Sequence, residues 1–240
     1  MDFNLAHNKS KINRLNVRDN SYEPSREGYS VGAVFSLKTA GLDENGLQMF
    51  YNKQGEKVSF NDFFGLEYGY MMGGLIPFLK SNLSAEEYRN LFTYEGTTEP
   101  KFTGGWINRF YYKNFDLTVS ASFVLDQTVQ EQPFYNPVQT SPGQNYSRRM
   151  SQIWSPDNTS GKYPRIMGTY TEGEENWAYQ WLGMLDPGNS YRKYDYWFKK
   201  MSYMRINSIR LGYTFPERLL GHIGFSSARI SFEARNPFVF

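Results

Sequence analysis

WINRFYYKNFDLTVSASFVL, Trp106 to Leu125, is the stretch whose reading decides the fold. In its second arm Phe115, Leu117, Val119, Ala121, Phe123 and Leu125 alternate with Asp116, Thr118, Ser120 and Ser122. Successive side chains of a strand point to opposite faces, so this arm has one apolar face and one hydroxylic or charged face. Phe115 to Leu125 also has the length, roughly 9–11 residues, that a tilted strand needs to cross a bilayer. The arms meet at the short polar connection Lys113-Asn114, and the first arm carries Trp106, Phe110 and Tyr112 on one parity. Apolar-out, polar-in strands rimmed by aromatic residues are the pattern of a transmembrane β-barrel. An antiparallel sheet with one solvated face alternates in the same way, so a soluble all-β module stays open at this point.

Composition narrows the classes. The mean hydropathy is that of a polar chain, and no run approaches the roughly 18 apolar residues of a spanning helix. A barrel is compatible with both facts, because only alternate residues meet lipid. Tyr and Phe, 19 of each in 240 residues, suit aromatic girdles or sugar-stacking surfaces. A net charge of +2 with no basic run gives no nucleic-acid track. The absence of Cys removes disulfides, thiolate metal sites and redox pairs. The opening MDFNLAHNKSKI lacks the basic and apolar regions of a signal peptide. That fits export only if the chain is the downstream part of a longer one.

Along the chain, strands are expected at 3–12, 103–113, 115–126, 201–215 and 227–236, with a helix near 85–92. Ser84 followed by Glu87 is a capping box and starts that helix. In 201–215, Met204 and Ile206 share one parity while Ile209, Leu211 and Tyr213 share the other. An extra residue near Asn207-Ser208, a bulge, would reconcile them. Tyr29 to Lys38 is a loosely alternating strand, GYMMGG reads as a loop, and residues 127–200 read as too irregular to form a core. Short turns of such barrels are periplasmic and long loops extracellular, which puts Lys113-Asn114 inside and 127–200 outside. Five to eight strands are too few for a closed barrel with loops this long. An open edge in lipid would leave backbone groups unpaired, so the expected fold is an all-β, antiparallel transmembrane β-barrel wall segment with long extracellular loops.

Several stretches resemble the SusC/RagA-type TonB-dependent outer-membrane proteins of Bacteroidetes, near their C-terminal end. The densest is DYWFKKMSYMRINSIRLGYTFPERLL, Asp195 to Leu220, which is similar to a late pair of strands and their turn. IWSPDNTSGKYPRI resembles a family loop through Trp154, Pro156, Tyr163, Pro164 and Arg165. FNLAHNKSKI, EGYSVGAVFSLKTAGLD and EPKFTGGW resemble segments in the same order, with Glu99 departing from a usual Asn. EARNPFVF stands near the end, where Pro237 departs and is expected to disturb the last strand. The resemblance implies a barrel of roughly 22 strands with an N-terminal plug. Residues 1–240 would be an incomplete C-terminal part of it, without the plug domain and final strands. It further implies outer-membrane import of a glycan or peptide nutrient. The implied partners are a SusD-like surface lipoprotein, a TonB complex acting through the missing N-terminal region, the ligand and outer-membrane lipid, with no nucleic acid.

Residues with possible chemistry are sparse. His7 and His222 are the only histidines and have no ligand spacing, so no metal site is expected. No nucleophile elbow or phosphate loop is present. Glu172, Glu174 and Glu175 crowd a polar loop with nothing apolar to raise a pKa. Neither a catalytic residue nor a cofactor is therefore expected, and the chain reads as no enzyme. Trp154, Tyr163, Trp177 and Trp181 are the candidate ligand-binding residues, aromatic faces in the extracellular segment able to stack on a sugar ring or meet a lid protein. The same rings could pack the loops together, and Trp197, beside a strand, fits an interfacial girdle. The rival from another class is a soluble all-β carbohydrate-binding module or glycosidase-associated domain.

Overall fold

A computed structural model describes residues 1–16, 23–71, 76–137, 143–166, 190–221 and 224–240. The chain divides into two compact units, residues 1–10, 97–129 and 200–240 in the first, and residues 11–96 and 130–199 in the second. Strands are numbered here in chain order. Among the described residues no helix is long and apolar enough to cross a membrane.

The first unit is a five-stranded sheet, a wall, in the order β1-β9-β10-β11-β12: β1 (Asp2–His7), β9 (Phe102–Tyr112), β10 (Phe115–Gln130), β11 (Phe198–Thr214) and β12 (Arg229–Val239). The central hairpin follows the sequence expectation. Tyr112 pairs with Phe115 across Lys113-Asn114, and each residue from Asp116 to Leu125 has an unshifted partner on β9. Lys113 takes a left-handed backbone, φ 53°, at the first turn position. That hand matches the twist of the two arms. β1 runs antiparallel to β9, from Asp2 opposite Ile107 to His7 opposite Phe102. It stops at His7, short of the expected residue 12.

Contacts near both ends show that β10 and β11 are antiparallel as well. The Thr214 N–H donates to the Asn114 carbonyl at 2.9 Å, and the Asp126 N–H donates to the Ser202 hydroxyl at 3.0 Å. The irregularity expected near Asn207 is present: pairing of β11 with β12 shifts between Ile206 and Ser208. The additional residue lies on the partner strand, where Asn236 and Pro237 stand against Asn207. Asn236 is left-handed, φ 49°, and Pro237 has no N–H to give to a ladder, so the shift falls where β12 can least continue one.

The second unit is built of short strands: β2 (Ala33–Leu37) with β8 (Phe92–Thr97), β3 (Thr39–Leu42) with β4 (Gln48–Tyr51) and β5 (Lys57–Val58), and β6 (Leu66–Met71) with β7 (Ile76–Ser81). The start of GYMMGG is therefore strand, not loop. Two short helices, α1 (Phe60–Phe63) and α2 (Ala85–Arg89), are both capped by serine. α2 carries the expected box, Ser84 accepting from the Glu87 N–H while Glu87 accepts from the Ser84 N–H. A third, α3 (Glu217–Leu220), lies in the connection from β11 to β12 of the wall.

The core of the second unit corrects two expectations. Residues 127–200 were expected to be too irregular to hold a core, yet Tyr135, Ile153, Tyr191, Tyr194 and Trp197 pack with Leu37, Phe50, Phe63, Phe64 and Tyr88 in one buried cluster. Phe50 lies on Phe63 at 4.3 Å and nearly parallel, with the Tyr194 and Phe64 edges against it. Trp197, expected in an interfacial girdle, has 0 % of its surface exposed. Adjacent rings at offset and edge-on geometries bury large areas without periodic spacing, which is why no alternation marks this core.

Candidate functional site: the two faces of the wall and the aromatic hub

The strand registers sort the wall's side chains into two faces. Phe3 and Leu5 of β1 share a face with Phe102, Trp106, Phe110 and Tyr112 of β9, and with Phe115, Leu117, Val119, Phe123 and Leu125 of β10. Tyr213 packs on Phe115 at 4.6 Å, which places Tyr213, Leu211, Ile230 and Phe232 on that face too. Asn108 and His7 are its polar exceptions in β1 and the hairpin. Many of these rings are open, Phe232 at 75 % and Phe3 at 59 %. An exposed apolar face of this extent marks contact with lipid or protein.

The opposite face is mostly polar. Asp2 and Asn4, Thr103 and Arg109, and Asp116, Thr118, Ser120 and Ser122 lie on it, joined by Arg229, Glu233 and Arg235 of β12, with Ala6, Ile107, Tyr111 and Val124 as its exceptions in β1 and the hairpin. The Ser122 hydroxyl donates to Asn207 Oδ1 at 3.1 Å, so Asn207 stands there as well. Odd-numbered residues of β11 thus change face between Asn207 and Tyr213, the parity slip visible in the sequence.

Two glycines let side chains reach across a strand. On the apolar face a Cβ at Gly104 would lie 2.6 Å from Phe123, whose ring passes over β9 to stack on Phe3. On the polar face a Cβ at Gly212 would lie 2.4 Å from Arg229 Nη2 and 2.5 Å from Asp116 Oδ1. Over that gap Arg229 of β12 reaches past β11 to Asp116 of β10, at 2.7 Å. A depression of about 560 Å³ is lined by Asp2, Asn4, Gly105, Ser120, Ser122 and Asn207 of the polar face, and also by Phe3, Leu5, Trp106 and Ala121.

In the second unit, Trp154 and Tyr163 come together through the backbone, the Trp154 N–H donating to the Tyr163 carbonyl at 2.9 Å. The Trp154 indole lies against Gly46, where a Cβ would be 2.3 Å from the ring, and it is half-buried. Tyr163, also half-buried, stacks on Trp197 at 5.5 Å and 14°. Trp177 and Trp181 lie outside the described residues, as do His222, Glu172, Glu174 and Glu175.

Sequence reading missed the residue that organises these rings. The Arg149 guanidinium sits 4.6 Å from the Phe134 ring centre and donates to the Tyr163 hydroxyl at 2.7 Å and to Glu131. Glu131 also takes the Lys199 ammonium, and its N–H donates to the Trp197 carbonyl at 2.7 Å. Bonds from Lys199 and then Arg149 hold the Glu131 carboxyl below its ordinary range. The Tyr163 hydroxyl and Glu131 keep Arg149 charged. Burial pushes the Tyr191 phenol far up, so it stays neutral. No pattern in the sequence announces this hub, since Arg149 stands between polar residues with no period. Its donors are used in holding the loop together, and no nucleophile–base pair occurs in it. Among the described residues no group of acidic, His or Cys side chains could hold a metal ion.

No family model matches the chain. It is 25% identical over 256 residues to TonB-dependent receptor P3 of Formosa agariphila, covering 99% of this chain and 22% of the receptor. The fold is similar to the RagAB peptide transporter, with TM-score 0.57 and 17% identity over 90% of this chain and 20% of that one. For the 'closed-closed' state of the RagAB peptide importer the TM-score is 0.56 at 17% identity, over 90% of this chain and 20% of that one. The chain therefore spans about a fifth of the length of these relatives. A wall apolar on one face and mostly polar on the other has the fold of a barrel segment of these outer-membrane transporters, and the chain is similar in sequence to a TonB-dependent receptor.

Proposed function

We propose that this chain forms part of the wall of a TonB-dependent importer that takes up a glycan or peptide nutrient across the outer membrane. The observation that carries this reading is the single apolar face shared by the wall's strands, backed by a mostly polar face. A soluble module would have to bury the apolar face; a barrel turns it to lipid and its polar side to the lumen. In this reading the wall continues at the free sides of β1 and β12 into a larger plugged barrel, which would satisfy the backbone groups of both edges. Lys113-Asn114 and the connection 216–228 are periplasmic. Segments 11–96 and 130–199 leave the strands' other ends and are extracellular. A TonB complex supplies energy through a plug, and a SusD-like lipoprotein is the expected surface partner. Trp154 and Tyr163, which keep part of each ring open, and Trp177 and Trp181 are the proposed ligand-facing aromatics. The mechanism is gating: ligand bound outside shifts the plug between states.

The test is uptake. Cells lacking the receptor gene should lose growth on one class of oligosaccharide or peptide and regain it on complementation. They should lose it again when TonB is deleted. Uptake indifferent to TonB would sink the reading.

A further inference from the structure

We propose that the connection between β11 and β12 is a membrane-surface anchor, with Leu219 and Phe225 inserted among the phospholipids of the periplasmic leaflet instead of standing in water. The inference rests on the barrel reading and adds a lipid contact to a segment outside the strands. The wall's apolar row does not stop with the central hairpin. Phe115 packs on Tyr213 at 4.6 Å, and Tyr213 meets Phe215 edge to face at 5.1 Å. Thr214 stands level with Asn114 at the hairpin tip, so the row of rings runs on past that tip. There the Phe215 N–H donates to the Ala228 carbonyl at 2.9 Å, and the chain between those two residues turns back.

The turn is two-sided. In α3, Leu220 is buried while Leu219 is 60 % exposed. The Phe225 N–H donates to the Leu220 carbonyl at 3.2 Å, which holds a second large apolar side chain, 61 % exposed, beside the end of the helix. Scattered apolar side chains on a surface are ordinary, but these two follow directly on a row of rings that reaches Phe215. The neighbouring hairpin tip has the make-up of an interface as well. Tyr112 is exposed, and Lys113 Nζ lies 5.4 Å from its ring centre. An aromatic body with a cation beside it seats the ring at headgroup level and brings the ammonium to phosphate. A segment too short to span, with apolar side chains turned out, lies along such an interface. Continuity with the row that a barrel turns to lipid favours phospholipid over a protein partner, which would have to share the end of that row with the bilayer. Glu217 and Arg218, both exposed, then belong to the headgroup side.

The test uses the whole receptor containing this chain, in vesicles of equal parts phosphatidylethanolamine and phosphatidylglycerol. This chain has no Cys, and any cysteine elsewhere in the receptor is replaced. Single spin labels are placed on Glu217→Cys, Leu219→Cys, Phe225→Cys and, as a hydrocarbon reference, Val119→Cys. Oxygen, which concentrates in lipid, and a water-soluble nickel chelate are the collision probes. Labels at 219 and 225 should favour oxygen, less strongly than the label at 119, and should meet nickel several-fold less often than the label at 217. Leu219→Asp should raise nickel collisions at 225 by lifting the segment out of the interface. Nickel-favouring labels at either 219 or 225 put the connection in water and overturn the proposal. Low collision with both probes means that another part of the receptor covers these side chains, and overturns it too. If either result comes while 119 favours oxygen, the anchor is wrong and the barrel reading stands. If 119 favours nickel, the barrel reading itself fails.

Discussion

Phe232 and Trp197 are both large aromatic side chains, one 75 % exposed on the wall and the other fully buried in the second unit. The contrast runs through both units. Nearly every buried hydrophobic residue of the described chain belongs to the second unit, while the wall carries Phe3, Leu5, Phe110, Phe115, Ile230 and Phe232 in the open. The second unit follows the rule for water, apolar in and polar out. The wall inverts it, with ion pairs and amides on its polar side. One chain is folded for two solvents, and it passes from one unit to the other at the end of β10, between Val129 and Gln130.

The largest effect that would break this contrast belongs to the buried member. Trp197→Ala should cost about 3–5 kcal/mol, the range for truncating a packed aromatic. The loop segments should then become sensitive to limited proteolysis while the wall stays protected; equal loss in both would mean that the two are one cooperative body. Next comes the outward face. Val119→Arg should cost about 2–4 kcal/mol in the membrane, as for a cation on the lipid face near the midplane. Val119→Cys should react with a lipid-confined reagent and Ser120→Cys only with an aqueous one. Equal aqueous labelling of both would put the apolar face in water.

A smaller effect tests the polar face. Gly212→Ala should push Arg229 off Asp116 and cost up to about 1 kcal/mol, read from the urea midpoint in lipid vesicles. In an Asp116→Asn background the same change should cost much less, because the pair is already broken. An undiminished cost would show that the glycine serves the strand and not the ion pair. The smallest concerns pH. Glu131 is held below its ordinary pKa by Lys199 and Arg149. Its contribution is thus present above the unfolded-state pKa and lost as pH falls through the lowered folded value. Tryptophan fluorescence of the hub should change on acidification below about pH 4, and Glu131→Gln should flatten that change.

What could be read from the sequence divides along the same line. The wall was legible because a two-faced strand writes its environment into every second residue. Even the face change in β11 showed as the parity break between Ile206 and Ile209, though not that Asn236-Pro237 would supply the additional residue. The capping box at Ser84 and Glu87 was equally local. The second unit was not legible, because its strands are too short to show a period. Its core also gathers residues as distant as Leu37, Tyr88 and Trp197. Trp154 and Tyr163 could be singled out as aromatic, but nothing near them marked Arg149 as the group that would order the rings.

The placement of β1 has a consequence for how the wall is assembled. Phe3 lies opposite Trp106, and Asn114 meets Thr214, whereas Tyr112 and Phe115 are joined by two residues. Closing a long segment costs only slowly more with length, but distant pairings delay the search. The β9–β10 hairpin is thus the natural nucleus. β1, made before the hairpin, must wait for residues about a hundred positions later before it pairs with β9. Until then its apolar row and the edge that β9 covers are unprotected, which makes this strand one in need of a chaperone.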